Sequence, residues 1–158
     1  MPASADTLLV TNGAAHGIFL TLAPLVGPGD TVLCEGLADH GVIGSANVLG
    51  FTLKGVEIDE YGIHPEHFEE MCDSERITAV VCTPTLNNPT VSLMPDSRRH
   101  AIAKIAERYG GYGIEGDVYG PLPAKTGTPI SSLIPDLSFY FTSLTEVDVV
   151  HFGGNNAC

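Results

Sequence analysis

Along this chain, short apolar runs rich in β-branched residues alternate with longer stretches whose apolar positions recur every three or four residues. Six runs read as strands: TLLVT (7–11), TVLCE (31–35), TLKGVEI (52–58), ITAVVCT (77–83), GYGIEG (111–116) and SFYFTS (138–143). Between them the spacing predicts helices at about 14–26, 40–49, 65–73, 95–109 and 130–134. Strands that alternate with helices favour a mainly parallel sheet, because a parallel connection needs a crossover long enough to hold a helix. The expected fold class is therefore α/β, a three-layer α/β/α sandwich.

Several boundaries have a mechanism. GPGD (27–30) ends the first helix with Gly and Pro and returns the chain to a strand. Pro65 suits the first turn of PEHFEEMC, where Glu66, Glu69 and Glu70 follow. In MPDSRRHAIAKIAERYG the residues Ile102, Ile105 and Ala106 share one face, and Gly110 supplies the stop. Repeats and low-complexity tracts are absent from the sequence.

Length and composition narrow the classes. The 158 residues suffice for one buried core, with 44% hydrophobic residues and a mean hydropathy of +0.18. No 18-residue apolar run is present and the N-terminus lacks a secretory pattern, so a cytoplasmic protein with no membrane partner is expected. Nineteen acidic against seven basic residues give a formal charge of −12, which argues against a nucleic-acid partner. Cys34, Cys72, Cys82 and Cys158 form no CxxC pair, and Cys34 and Cys82 read as apolar strand positions.

In open α/β sheets ligands bind beyond the carboxyl ends of the strands, where helix N-termini offer unpaired N–H donors. That selects the loops NGAAHG (12–17), EGLADHG (35–41), TPTLNNPT (83–90), EGDVYG (115–120) and SLTEV (143–147). Together with LVGPGDTVLCEG, GVEIDEYGIHPEHFEE and RRHAIAKIAERYG, this series resembles the large domain of fold type I pyridoxal-phosphate (PLP) aminotransferases. In particular it resembles the aminotransferase-like domain of MocR-type GntR transcription regulators. The resemblance runs from the start of the chain to Glu146. It implies that the amides of Ala14 and Ala15 hold a phosphate and that Asn88 and Tyr119 contact the phenolic oxygen of the cofactor.

The departures fall on the chemistry. The family's lysine, which forms a Schiff base with PLP, corresponds to Glu146. The aspartate that keeps the pyridine nitrogen protonated corresponds to Gly116, while Asp117 next to it should point to the other sheet face or loop side. The aromatic that stacks on the ring corresponds to Asp39. A carboxylate cannot form a Schiff base, and it repels a phosphate-bearing ligand. Transamination is therefore not expected. On this reading the winged-helix DNA reader, the small domain and the substrate-gripping arginine also lie outside the sequence.

Two divisions are expected: residues 1–146 as a truncated aminotransferase-like large domain, and residues 147–158 as a divergent tail. In the family an antiparallel strand lies between the first and sixth strands, and VDVVHFGG (147–154) could replace it within the chain or across a dimer. The alternative is a frayed tail. Apolar surface left uncovered by the missing domains points to a homodimer or larger oligomer.

Acidic and imidazole groups remain on the strand-end loops. Asp39, His40, Asp117 and Glu146, with His16 and His151 as further candidates, are the residue types that ligate Zn²⁺, and a metal-bound water is a hydrolytic nucleophile. The expectation is a truncated aminotransferase-like domain without Schiff-base chemistry which, if active, is a metal-dependent hydrolase of esters or phosphoesters, with those four residues as catalytic groups and ligands. Its cofactor would be a divalent metal such as zinc, with PLP neither expected nor covalently bound. The alternative is a catalytically inert or weakly PLP-binding remnant, holding a small molecule through Ala14, Ala15, Asn88 and Tyr119. Three other patterns read more simply: His64 and His67 near Cys72 as an exposed acidic helix start, the basic cluster SRRHA (97–101) as solvated or paired with the surplus carboxylates, and Ser143 with His151 as loop residues, since a serine hydrolase would bring a GxSxG elbow.

Overall fold

The structure is a computed structural model that describes residues 5–123 and 127–143. A single 3-10 turn, Ala5–Thr7, precedes α1 (Ala14–Leu22), β1 (Thr31–Glu35), α2 (His40–Leu49) and β2 (Thr52–Val56). A two-residue-per-strand hairpin follows, β3 (Ile58–Asp59) and β4 (Gly62–Ile63), then α3 (Pro65–Ser74) and β5 (Ala79–Cys82). The chain continues with α4 (Asp96–Tyr109), β6 (Tyr112–Gly116), the short α5 (Ile130–Leu133), a 3-10 turn at Pro135–Leu137 and β7 (Ser138–Phe141).

Five strands form one sheet in the order β2-β1-β5-β6-β7, and every pairing is parallel. Alternation along the strands divides the core in two. Val32, Cys34, Ala79, Val81 and Ile114 pack with Ile18 and Leu22 of α1 and Val42 of α2. Leu33, Val80 and Cys82 face the other way, onto Phe68 of α3, Ile102 and Ile105 of α4 and Ile130 of α5. The sheet is thus covered on both faces, which is why β1 reads as TVLCE with all five residues buried.

Local signals set the helix ends. Asp39 caps α2, accepting from the Gly41 amide at 2.7 Å, and Pro65 opens α3. Gly110 closes α4 at φ 69°, with its N–H turned back to the Ala106 and Glu107 carbonyls.

One expectation changes. TLLVT is not a strand: Leu8, Leu9 and Val10 are 68%, 72% and 88% exposed, and no described strand lies beside them to accept pairing. An apolar run specifies a strand only where a neighbour satisfies its amides. In the basic cluster the arginines are paired with carboxylates, one of the two outcomes expected, and one of them is buried. Arg98 pairs with Asp59, and Arg99 is buried beneath the loop that follows β5. The Arg99 side chain donates to the carbonyls of Met94 and Pro84 and to Thr85 Oγ1, at 2.9–3.0 Å. Finally, residues 144–158 lie outside the described residues, and with them the replacement-strand expectation for 147–154 and the candidates Glu146 and His151.

Candidate functional site

A cavity of about 410 Å³ opens at the carboxyl ends of the central strands. Its wall at one end is the start of α1, where Asn12 to Ala15 turn into the helix. Gly13 occupies that turn at φ 87° and ψ 167°, a region that side chains with a Cβ essentially do not enter. The first-turn N–H groups of a helix have no intrahelical acceptor, and this first turn carries no acidic side chain. The cavity end of α1 therefore presents a positive field to an anion.

The loops after β1, β5 and β6 close the remaining sides. Leu37, Ala38 and Asp39 follow β1, Thr83, Asn87 and Asn88 follow β5, and Gly116, Val118 and Tyr119 finish β6. Val81, Ile114 and Phe141 supply apolar floor. Phe141 also sets the distance between α1 and β7, since a Cβ built on Gly17 would lie 2.9 Å from its ring. None of the described lining residues is basic.

One acidic group in the wall was not foreseen. Glu35 ends β1 at 5% exposure and lines the cavity, accepting from the Thr83 amide at 3.1 Å on both oxygens and from Asn87 Nδ2 at 2.7 Å. Burial raises its pKa to about 7, against the opposing pull of those hydrogen bonds. The available signal was a carboxylate ending an otherwise apolar buried strand.

The residues expected from the sequence divide cleanly by place. Ala14, Ala15, Asn88 and Tyr119 all line the cavity, as does Asp39 at its exposed rim. His40, the first residue of α2, is exposed and is not part of the wall. Asp117 lies on the other side of the sheet from the cavity. Its Oδ2 accepts from Tyr140 Oη at 2.7 Å, whereas the alternate residues Gly116 and Phe141 face the ligand space. His16 turns its Nδ1 to the Asn12 amide at 3.1 Å. His64 sits by Glu66, and His67 accepts from the Glu57 amide, so these two imidazoles and Cys72 share no centre.

No protein-family model matches the chain. It is 30% identical over 127 residues to the uncharacterized HTH-type transcriptional regulator YjiR of Escherichia coli (strain K12), a match spanning 80% of this chain and 27% of that protein. It is 32% identical over 115 residues to aminotransferase tdiD of Emericella nidulans, spanning 70% of this chain and 26% of that protein. Among solved structures, the PLP-bound C-S lyase from Staphylococcus hominis superposes with a TM-score of 0.85 at 12% identity, over 95% of this chain and 40% of that one.

The chain has the fold of the fold type I PLP-dependent aminotransferases and is homologous to part of their length. Its homologues include MocR-type HTH regulators as well as aminotransferases, and it spans about a quarter of the length of the curated relatives just described.

These findings overturn the cofactor expectation. A divalent metal such as zinc was expected and PLP was not, yet the matching structure just described is PLP-bound. Among the described residues, moreover, no group of three or more His, Cys, Asp or Glu side chains is placed to hold a metal ion. The physical reason is dispersal: Asp39 caps α2, His40 is exposed and outside the cavity lining, and Asp117 is across the sheet. The hydrolase reading, which depended on that metal, has no support.

Proposed function

We propose that the cavity is a pyridoxal-phosphate pocket without covalent attachment, and that this segment is a ligand-binding, non-transaminating part of an aminotransferase-like protein of the MocR type. What supports the reading is that Ala14, Ala15, Asn88 and Tyr119 line one cavity together. The first-turn amides of α1 suit a phosphate, and the Asn88 amide and Tyr119 hydroxyl suit a phenolic oxygen. Bound PLP supplies an electron-withdrawing ring, but that chemistry draws on a lysine and a carboxylate at the ring nitrogen. Glu146 and Gly116 stand at those places in the sequence.

The residues present therefore hold and orient rather than react. The small side chains of Ala14 and Ala15 leave the helix amides open, while Val81, Ile114 and Phe141 exclude water from the ring face. Gly116 leaves the ring nitrogen without an ionic partner on that strand.

Equilibrium dialysis with PLP, followed by borohydride reduction and mass spectrometry, tests this. Saturable 1:1 binding with no reduced adduct is expected. Absence of saturable binding removes the proposal, and a stoichiometric adduct removes its non-covalent clause.

Among the described residues no helix is long and apolar enough to cross a membrane, and we place the protein in the cytoplasm. Association into a homodimer is supported by the exposed Leu8, Leu9, Val10 and Val48. The charge argument against nucleic acid concerns these 158 residues alone, since a relative carries an HTH-type regulator's name.

A further inference from the structure

The loop between β5 and α4 carries Asn88 into the cavity, and its conformation is not one it would choose unaided. Leu86 and Val91 have φ of 52° and 57°, the left-handed region that is unfavourable to a residue with a Cβ. Something outside the loop must hold it.

The holding groups are specific. Arg99 grips the Pro84 carbonyl and Thr85 from below. On the cavity side, the Glu35 carboxylate accepts from the Thr83 amide and from Asn87 Nδ2. The other end of the Asn87 amide, Oδ1, accepts from Thr90 Oγ1 at 3.2 Å. Asn87 is thus held on both sides by hydrogen bonds 52 and 3 residues away in sequence, and the next residue is Asn88.

We propose that Glu35 is the positioning residue of the cavity: its ionised carboxylate clamps Thr83 and Asn87 in the pose that presents Asn88 to the ligand ring. Neutralising that carboxylate loosens the pose, so ring binding follows pH beyond the ligand's own titration while phosphate binding at α1 does not. The inference rests on the PLP reading of the cavity for its ligand, and on the hydrogen bonds alone for the clamp.

Both carboxylate oxygens face donors, so a proton added to either leaves an O–H directed at an N–H and weakens the charge-assisted bonds. The neighbours make Glu35 the group that titrates near neutrality. On β1 the Cys34 thiol is pushed up to about 11 by burial and by Glu35, and on β5 burial pushes Cys82 well above the ordinary thiol value. The facing residue of β2 is Val56, which carries no charge. Asp39 stands at the cavity rim, and on the sheet face that Glu35 shares with Leu33 and Cys82 the carboxyl of Glu115, itself raised by burial, is paired with Arg99. The Glu35 value of about 7 places the change within a range where the protein can be handled.

The test uses the full chain and its Glu35→Gln variant, with PLP and inorganic phosphate as probes from pH 5.5 to 8.5. Amide NMR of the ligand-free protein is read first: the Thr83 and Asn88 signals should titrate together in the wild type and stay flat in the variant. Binding is read second, as the wild-type-to-variant ratio at each pH, which cancels the ligand's own ionisation. The variant should bind PLP roughly tenfold more weakly at pH 8, with the gap closing toward pH 6, and should bind phosphate as the wild type does.

If Asn88 ignores the Glu35 titration, or if the variant loses phosphate and PLP alike, the positioning role is overturned. If the wild type shows the coupled titration but binds no PLP at any pH, the clamp stands and the PLP reading falls. Should Glu35→Gln fail to fold, the wild-type NMR titration still decides, and Glu35→Asp, which keeps the charge, should keep the pH step.

Discussion

Arg99 Nη1 lies 3.6 Å from Glu115 Oε1, and both side chains are 1% exposed. At that distance the contact is a charge pair rather than a hydrogen bond, and Glu115 Oε1 has no other partner among the described residues. Burial raises the Glu115 pKa, opposed by the Ser131 amide and by Arg99. The arginine therefore has two tasks: it balances a buried carboxylate and it ties down three acceptors of the β5–α4 loop.

Replacing it exposes both. Arg99→Met should destabilise the fold by about 3–5 kcal/mol, because it leaves Glu115 uncompensated and the Pro84 and Met94 carbonyls without donors. Urea unfolding of the single variant and of Arg99→Met with Glu115→Gln checks the assignment. The double variant should recover part of the loss, and equal stability of wild type and single variant would deny the pair any role.

Glu35 gives the stability a pH dependence of known sign. Its folded pKa of about 7 lies above the ordinary carboxyl value, so the folded state holds this proton more tightly than the unfolded chain does. The contribution is favourable at low pH and is lost as pH rises from about 4.5 to about 7. The shift corresponds to a cost of order 3 kcal/mol at pH 8. Thermal melts should fall from pH 5 to pH 8 more steeply in the wild type than in Glu35→Gln, whose difference curve isolates this group from Glu115, Asp59 and Glu75. Parallel curves would place the Glu35 pKa at its ordinary value.

The sheet could be read from the sequence because its strands are short, apolar and β-branched, and the helices because their caps are conventional: Asp39, Pro65 and Gly110 each stand at an end. The failure at TLLVT has the opposite cause, since hydrophobicity records what would like to be buried and not whether a partner strand exists. The hairpin β3–β4 escaped because two residues per strand leave no period to detect. At the site, Ala14, Ala15, Asn88 and Tyr119 were reached through the resemblance. Side-chain direction at the ends of elements was harder. His40 turns outward and Glu35 inward, although neighbouring loops contain both, and no local pattern separates an acid that caps a helix from one that clamps a loop.

Association into a homodimer is expected from the apolar side chains that the described surface leaves uncovered. Leu8, Leu9 and Val10 are consecutive and exposed, with Val48 of α2 at 72%. Burying apolar side chains of this size contributes about 1.5–3 kcal/mol each before the costs of association. Light scattering at micromolar concentration should give a dimer mass, and Leu9→Lys should shift it toward monomer. A monomer mass for the wild type across that range would overturn the expectation.

The positive end of α1 makes the sharpest separation between folding and ligand binding. An acidic side chain in a first turn is favourable to a helix by about 0.3–1 kcal/mol, because it complements the unpaired N–H groups. The same charge occupies the field that a phosphate would use. Ala15→Asp should therefore leave the melting temperature unchanged or slightly raised while abolishing measurable PLP and phosphate binding. Ala15→Ser, which adds a hydroxyl and no charge, should retain binding within a few-fold. Comparing the three proteins by dialysis and thermal melting checks it: if Ala15→Asp still binds PLP as the wild type does, the phosphate does not sit at this helix.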